Sequence, residues 1–120
     1  AAQEIGAYQG STYAVRRSWA KANEATVLAY VRATVAAVDW LKENREGAVA
    51  VLRARVKSLD EKTANLIYDG LMAPGGVNPR GELNMKGVQT VLDLRRQAGA
   101  RTSEPSRYVD TSYLERALAR

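Results

Sequence analysis

The residues best spaced for acid–base chemistry are three carboxylates, Asp39, Glu43 and Glu46. Two carboxyl groups with separated pKa values can act as a general acid and a general base. These three residues also lie where a helix is predicted to end. Their position at an exposed helix end explains the acidic side chains better than an acid–base role does. The chain has no His and no Cys, so the commonest general base, the commonest metal ligand and a thiolate nucleophile are all missing. We therefore predict no catalytic residue, no metal site and no cofactor.

A glycine-rich stretch, GGVNPRG at residues 75–81, shares its high glycine content with phosphate-binding loops. It lacks the Gly-Lys-Ser/Thr ending of such a loop, and no predicted strand precedes it. Two prolines and three glycines within residues 73–84 also oppose regular structure. We expect a connecting loop between helices here.

The charge balance bears on nucleic-acid binding. The formal net charge is +5, with Arg-Arg pairs at residues 16–17 and 95–96. Most other cations alternate with acidic residues, as on a solvated helix surface, whereas a nucleic-acid footprint gathers cations on one face. Residues 46–72 have the length of a helix-turn-helix, but the second helix begins Asp-Glu at residues 60–61, and acidic side chains repel phosphate. We expect no nucleic-acid partner.

Six helices are predicted to position these residues, from apolar periodicity and capping residues. They cover about residues 16–22, 24–43, 46–57, 60–72, 85–98 and a short segment that begins at Asp110 or Ser112. A β-leaning run, Ser-Thr-Tyr-Ala-Val at residues 11–15, precedes them. No second strand is predicted, so this run is an orphan strand.

The helix predicted at residues 24–43 is apolar on two sides. A first stripe carries the valines 27, 31, 35 and 38. A second strip, defined by Tyr30, Ala33, Ala37 and Trp40, lies beside it and is called the Tyr30–Trp40 strip below. Such a helix should be buried on both sides. We therefore expect Trp19, Tyr30 and Trp40 to be buried packing residues rather than a stacking platform for nucleic-acid bases.

Local signals predict where two helices begin or end. Ser58 and Glu61 have the spacing of a capping box at the start of the fourth helix. Asn84 is placed to cap the fifth helix, and Gly99 suits the C-terminal cap of the same helix.

Five stretches, taken in order, resemble one protein family. They are YQGSTYAVRRSWAKAN, TVLAYVRATVAAVDWLKENREGAVAVL, SLDEKTANLIYDGL, GGVNPRGELNMKGVQTVLDLRRQAG and PSRYVDTSYLERAL. Together they resemble the C-terminal portion of the periplasmic substrate-binding proteins of ABC importers, in the branch that handles nitrate, aliphatic sulfonates, taurine and thiamine precursors. The most specific pieces are YVD followed by SYLE near the end, and GELN with its following helix. Glu24 stands where the family often has Pro.

The resemblance implies an α/β two-lobe fold, the periplasmic binding protein type II fold. This chain would be a mostly α fragment of it, with five to six helices plus one orphan strand. Residues 1–15 would be a hinge or strand lead-in, and residues 16–120 the helical C-terminal portion of one lobe. The first residue is Ala rather than Met, so we expect a cleaved product or a fragment. Residues 11–15 should then either pair with another chain or form no strand.

The same resemblance implies a function in transport rather than catalysis. The whole protein would capture a small solute between its lobes and deliver it to an ABC permease, in a periplasmic or other extracytoplasmic location, associated with the membrane through the permease. Ligand-adjacent or hinge residues would be Tyr8, Gln9, Gly10, Ser11 and Thr12.

Two other functions stay open at this point. One is a relative of the enzymes that make the thiamine pyrimidine, in which a His takes part, although this chain has none. The other is a free-standing helical interaction module.

The helix predicted at residues 24–43, which is apolar on two sides, also indicates that the chain associates with another protein surface. Large exposed apolar patches mark interaction sites. We expect the chain to self-associate, for example by exchanging elements, or to associate with the missing lobe of its own protein.

Overall fold

The structure, a computed structural model, describes residues 5–119 and divides into two compact units. The first comprises residues up to Arg32 together with those from Glu82 onward, and the second is Ala33–Gly81. Residues 1–4 of the predicted lead-in lie outside the described residues. Six α-helices lie wholly within the described part. They are α1 (Arg17–Ala22), α2 (Glu24–Glu43), α3 (Arg45–Arg55), α4 (Glu61–Met72), α5 (Met85–Gln97) and α6 (Ser112–Leu118).

The helical character predicted from the sequence is confirmed, but the predicted orphan strand is wrong. Residues 5–119 contain no β-strand, and residues 11–15 are irregular and exposed. A strand requires a neighbour for its backbone N–H and C=O groups. No such neighbour exists in the described residues, so the apolar side chains of this run face solvent: Tyr13 is 77% exposed and Val15 57%.

In the second unit, α3 and α4 pack together around a small core. Ala48, Val49, Ala64 and Tyr68 are buried there, and the partly buried hydrophobic residues around them are Leu41, Leu52 and Met72. The Tyr68 hydroxyl donates a hydrogen bond to the backbone carbonyl of Leu41, at 2.9 Å. This bond satisfies the only polar group of a buried ring and ties α4 to the end of α2.

The first unit is held around α5 and the loop that follows it. Its buried residues are Ala20 on α1 and Gly87 and Val88 on α5. A short 3₁₀ turn, Pro105–Arg107, lies against α5. The Arg17 guanidinium donates to the backbone carbonyl of Arg107 at 2.7 Å, so α1 is joined to this turn.

The helix ends test the capping predictions. The Asn84 side chain accepts from the backbone N–H of Gly87, and Gly99 has φ +85° with its N–H donating to Arg96 O, so both predictions are confirmed. The predicted capping box at Ser58 is wrong. Asp60 is the N-cap instead, because its carboxylate accepts from the N–H of Thr63 at 2.6 Å.

The prediction that α2 is buried on both sides is wrong, since none of its residues is fully buried. Several residues of the first stripe, including Val27 and Val38, are half-buried, but the Tyr30–Trp40 strip is exposed along its length. Trp19 is likewise 46% exposed. An apolar stripe makes burial favourable, but it does not supply the elements that would cover it.

Replacing Tyr68 by Phe should lower the free energy of unfolding by about 1 kcal/mol, because the Leu41 carbonyl loses its buried donor. The control is Tyr113→Phe, since no hydrogen bond of the Tyr113 hydroxyl is seen in the described residues. Urea denaturation followed by circular dichroism measures both. Equal stability of the Tyr68→Phe variant and the unsubstituted chain would contradict the assigned bond.

Candidate functional site

The first two residues of the segment predicted to be ligand-adjacent, Tyr8–Thr12, lie against the first turn of α5. Gly87 faces the backbone of this segment. A Cβ atom at position 87 would stand 2.6 Å from the Gln9 nitrogen and 2.8 Å from the Tyr8 carbonyl carbon. No real Cβ makes such contacts, so glycine at position 87 is what lets the two backbones meet.

Hydrogen bonds of Gln9 hold the segment in place. Its amide oxygen accepts from the backbone N–H of Asn84 at 2.9 Å, and its amide nitrogen donates to the carbonyl of Ser11 at 2.9 Å. Asn84 in turn caps α5 through Gly87, at 3.0 Å. Two N–H groups at the start of α5 are therefore already satisfied by the protein itself.

The structure divides the five predicted residues into two groups. Tyr8 and Gln9 are anchored on α5, whereas Gly10, Ser11 and Thr12 are exposed. The Tyr8 ring, 55% exposed, lies beside Gly10, where a Cβ would meet the ring at 3.4 Å. The assignment of these five residues to a ligand site stays a prediction.

Asn84 and Gly87 belong to this site, and sequence reasoning did not connect them with it. It identified Asn84 as a helix cap and GELN as a family motif. A glycine in the third position of a helix was the available signal, because glycine inside a helix usually marks a close approach. The identity of the approaching segment, 78 residues earlier at Gln9, could not be read from that signal.

The polar side chains of the segment and of its cap Asn84 are neutral. They are the amides of Gln9 and Asn84, the hydroxyls of Ser11 and Thr12 and the phenol of Tyr8. Such groups donate and accept hydrogen bonds to a polar solute but do not supply a charge or a strong base. In residues 5–119, no three His, Cys, Asp or Glu side chains converge as they would around a metal ion.

An aromatic pair lies next to this segment in the first unit. The rings of Tyr13 and Tyr30 meet edge to face with centroids 5.2 Å apart. Hydrogen bonding with Tyr13 raises the pKa of the Tyr30 phenol, and partial desolvation acts in the same direction. The Tyr30 phenol is therefore neutral near pH 7.

A second candidate site is a shallow cleft of about 300 Å³ between α3 and α4. Most of its lining residues are charged or polar. Its lining residues are Arg45, Glu46, Val49, Ala50, Arg53, Glu61 and Asn65. Arg53 and Glu61 approach to 3.6 Å across it, beyond direct hydrogen-bond distance, and both are largely exposed. A cleft of this kind holds its charges in water, where they bind small ions weakly.

Arg45 forms the best-ordered contact of this cleft. Its guanidinium donates to Asp69 at 2.7 Å and to Asn65 at 3.0 and 3.1 Å, and it lies over the Tyr68 ring, 5.0 Å from the centroid. The hydrogen bond from Arg45 lowers the pKa of the Asp69 carboxyl below its ordinary value. These contacts join α3 to α4, so Arg45 is explained by structure rather than by ligand binding.

The three carboxylates and the glycine-rich stretch have structural explanations. Asp39, Glu43 and Glu46 are all exposed, the first two on α2 and the third in the first turn of α3, in agreement with the expected helix end. The stretch at residues 75–81 is an irregular loop with a 3₁₀ turn at Pro79–Gly81, as expected.

The comparisons with known proteins add no relative: no family model, no curated protein and no solved structure matches this chain. Among the described residues, no helix combines the length and the apolar character needed to cross a bilayer.

The lowered pKa of Asp69 has a consequence for stability against pH. A carboxyl with a depressed folded-state pKa contributes stability above its unfolded-state pKa and loses it as the pH falls through the folded-state value. The difference in unfolding free energy between the unsubstituted chain and Asp69→Asn should therefore be positive at pH 6 and shrink toward zero in acid. Denaturation curves at several pH values measure it. An Arg45→Gln background should abolish the effect, and an unchanged difference there would refute the pairing.

Gly87→Ala should displace the Tyr8–Gln9 segment from α5, because the new methyl group collides with backbone rather than with a movable side chain. We expect a loss of roughly 1–3 kcal/mol of stability and faster amide exchange in residues 8–12. The matched control is Gly70→Ala on α4, where a Cβ meets nothing within 4 Å. That control should stabilise the chain by about 0.5–1 kcal/mol. Similar effects of the two substitutions would disprove the close approach.

Proposed function

We propose that this chain is part of an extracytoplasmic solute-binding protein that delivers a small molecule to an ABC importer. The solute class is the nitrate-, sulfonate- or taurine-like anion, or the thiamine precursor, that the family resemblance implies. The parent fold is the two-lobe α/β periplasmic binding protein type II fold, in which this chain supplies helices of one lobe. The role is binding and transfer, without catalysis.

The contact between the Tyr8–Gln9 segment and α5 carries the proposal. Closure of two lobes around a solute requires a segment with one end fixed to a lobe and the other end free to change its backbone angles. Tyr8 and Gln9 are fixed on α5 through Gly87 and Asn84, whereas residues 10–16 are exposed. This combination supports a hinge at the residues where the resemblance expects one.

The neutral character of the segment supports the same role. A solute that must be released to a permease needs hydrogen bonds more than a permanent counter-charge. Ser11 and Thr12 offer hydroxyl groups that can hydrogen-bond sulfonate or nitrate oxygens, while the Gln9 amide holds the segment on α5. Most of the groups that grip the solute would come from the other parts of the protein.

Calorimetry with taurine, nitrate and ethanesulfonate tests the proposal. The 120-residue chain alone should bind none of them with a Kd below about 1 mM, whereas the product of the complete gene should bind one in the micromolar range. In that complete protein, Gln9→Ala should weaken binding by about tenfold, and Gln97→Ala, on the exposed end of α5, should not. Tight binding by the 120 residues alone, or no binding by the complete protein, would refute the proposal.

A further inference from the structure

Two exposed tyrosines of the first unit, Tyr13 and Tyr30, form a ring pair to which the proposed function assigns no chemistry. It is called the Tyr13–Tyr30 pair below. The rings are nearly perpendicular, with an interplanar angle of 82°, and their centroids are 5.2 Å apart. Tyr13 is 77% exposed and Tyr30 50%, so a dissolved reagent reaches both rings. The pair joins the irregular residues 10–16 to α2.

The two phenol groups are close together as well as the two rings. A hydrogen bond joins the hydroxyl groups of Tyr13 and Tyr30. In a phenol, the ortho carbons are bonded to the ring carbon that carries the oxygen. A hydrogen bond between two such oxygens therefore holds an ortho carbon of one ring near an ortho carbon of the other. These ortho carbons are the positions at which oxidised phenols form carbon–carbon bonds.

Pairing distinguishes these tyrosines from others that are equally accessible. Tyr8 and Tyr108 are 55% and 54% exposed, but neither has a ring partner in the described residues. Tyr68 is buried, and its hydroxyl is bonded to the Leu41 carbonyl. Accessibility alone would therefore make Tyr8, Tyr13 and Tyr108 similarly reactive. Only the ring contact predicts which two tyrosines react with each other.

We propose that the Tyr13–Tyr30 pair is a modification site at which a one-electron oxidant of the haem peroxidase class joins the two rings within one chain. Each phenol loses one electron and one proton and becomes a phenoxyl radical. The two radicals form a carbon–carbon bond between ortho carbons. The hydrogen on each bonded carbon then moves to the oxygen of its own ring, which restores both phenols. The two electrons and two protons reduce one hydrogen peroxide to two water molecules.

The contact within the chain favours this product over links between chains. Two groups held on one chain react at an effective concentration set by their geometry, whereas unpaired tyrosines must meet by diffusion of two molecules. The product fixes residue 13 to α2, so the exposed residues 10–16 lose freedom to move. The inference rests on the ring contact and not on the solute-binding role.

Oxidation of the 120-residue chain by a haem peroxidase with limiting hydrogen peroxide tests the proposal. The intact chain should lose the mass of two hydrogen atoms and gain dityrosine fluorescence. The fraction of chains linked should stay the same when the chain is diluted about tenfold, because the reaction is intramolecular. Trypsin cleaves after Lys and Arg, so the digest should contain a joined peptide of residues 1–16 and 22–32.

Three phenylalanine variants assign the link to its residues. Tyr13→Phe should lower the yield of linked monomer at least about tenfold, because the partner phenol is gone. Its helix content should be unchanged, since the Tyr13 ring is largely exposed. Tyr108→Phe is the matched control for exposure and should leave the yield unchanged. Tyr8→Phe should also leave it unchanged, and it is needed because Tyr8 lies in the same tryptic peptide as Tyr13.

Amide exchange gives a second measurement on the linked chain. Exchange in residues 10–16 should be slower than in the unlinked chain, because the new bond restrains this segment. Links only between chains, a yield that falls with dilution, oxidised tyrosines without any link, or equal yields from Tyr13→Phe and Tyr108→Phe would each overturn the proposal. Unchanged exchange in residues 10–16 would overturn the inferred restraint.

Discussion

The arrangement of the first unit depends on the close approach of two backbones at Gly87. Because that residue has no side chain, residues 8 and 9 lie directly on the first turn of α5, and Gln9 reaches the N–H of Asn84. The side chain of Asn84 then caps the same helix. Because position 87 has no methyl group, the beginning of the chain can contact a helix that lies more than seventy residues later. Residues 8–9 are anchored by this contact, whereas residues 10–16 are exposed.

The second unit is organised by different contacts. Its core consists mainly of small residues, with Ala64 fully buried and Tyr68 the single large buried side chain of the cluster. Burial of so little apolar surface stabilises a pair of helices only modestly. The hydrogen bond from Tyr68 to Leu41 and the contacts of Arg45 with Asp69 and Asn65 add directional links between the helices. The exposed charges of the adjacent cleft are better understood as part of this link than as a binding site.

The proposed hinge depends on one contact within the first unit. A hinge requires a segment that is held at one end, and the Tyr8–Gln9 contact with α5 meets that requirement.

Much of the helical organisation was predictable from the sequence, because helix ends depend on neighbours in the chain. The bounds of α2, the cap at Asn84 and the glycine cap at Gly99 follow from side chains within a few residues. The start of α4 was predicted wrongly, since Ser58 and Asp60 both offer a capping oxygen and only the path of the backbone decides between them. The orphan strand was also wrong, because β-propensity describes a side chain's fit to a sheet and no sheet edge lies in the described residues.

The sequence by itself determined the helices and the caps at Asn84 and Gly99, which are set by local spacing. Tertiary structure decided three other matters. It showed that Tyr8 and Gln9 lie on α5, that Arg45 is engaged with Asp69, and that α2 keeps its Tyr30–Trp40 strip exposed. The physical reason is that local spacing states which residues share a face, whereas contact and burial depend on which distant segment, if any, covers that face.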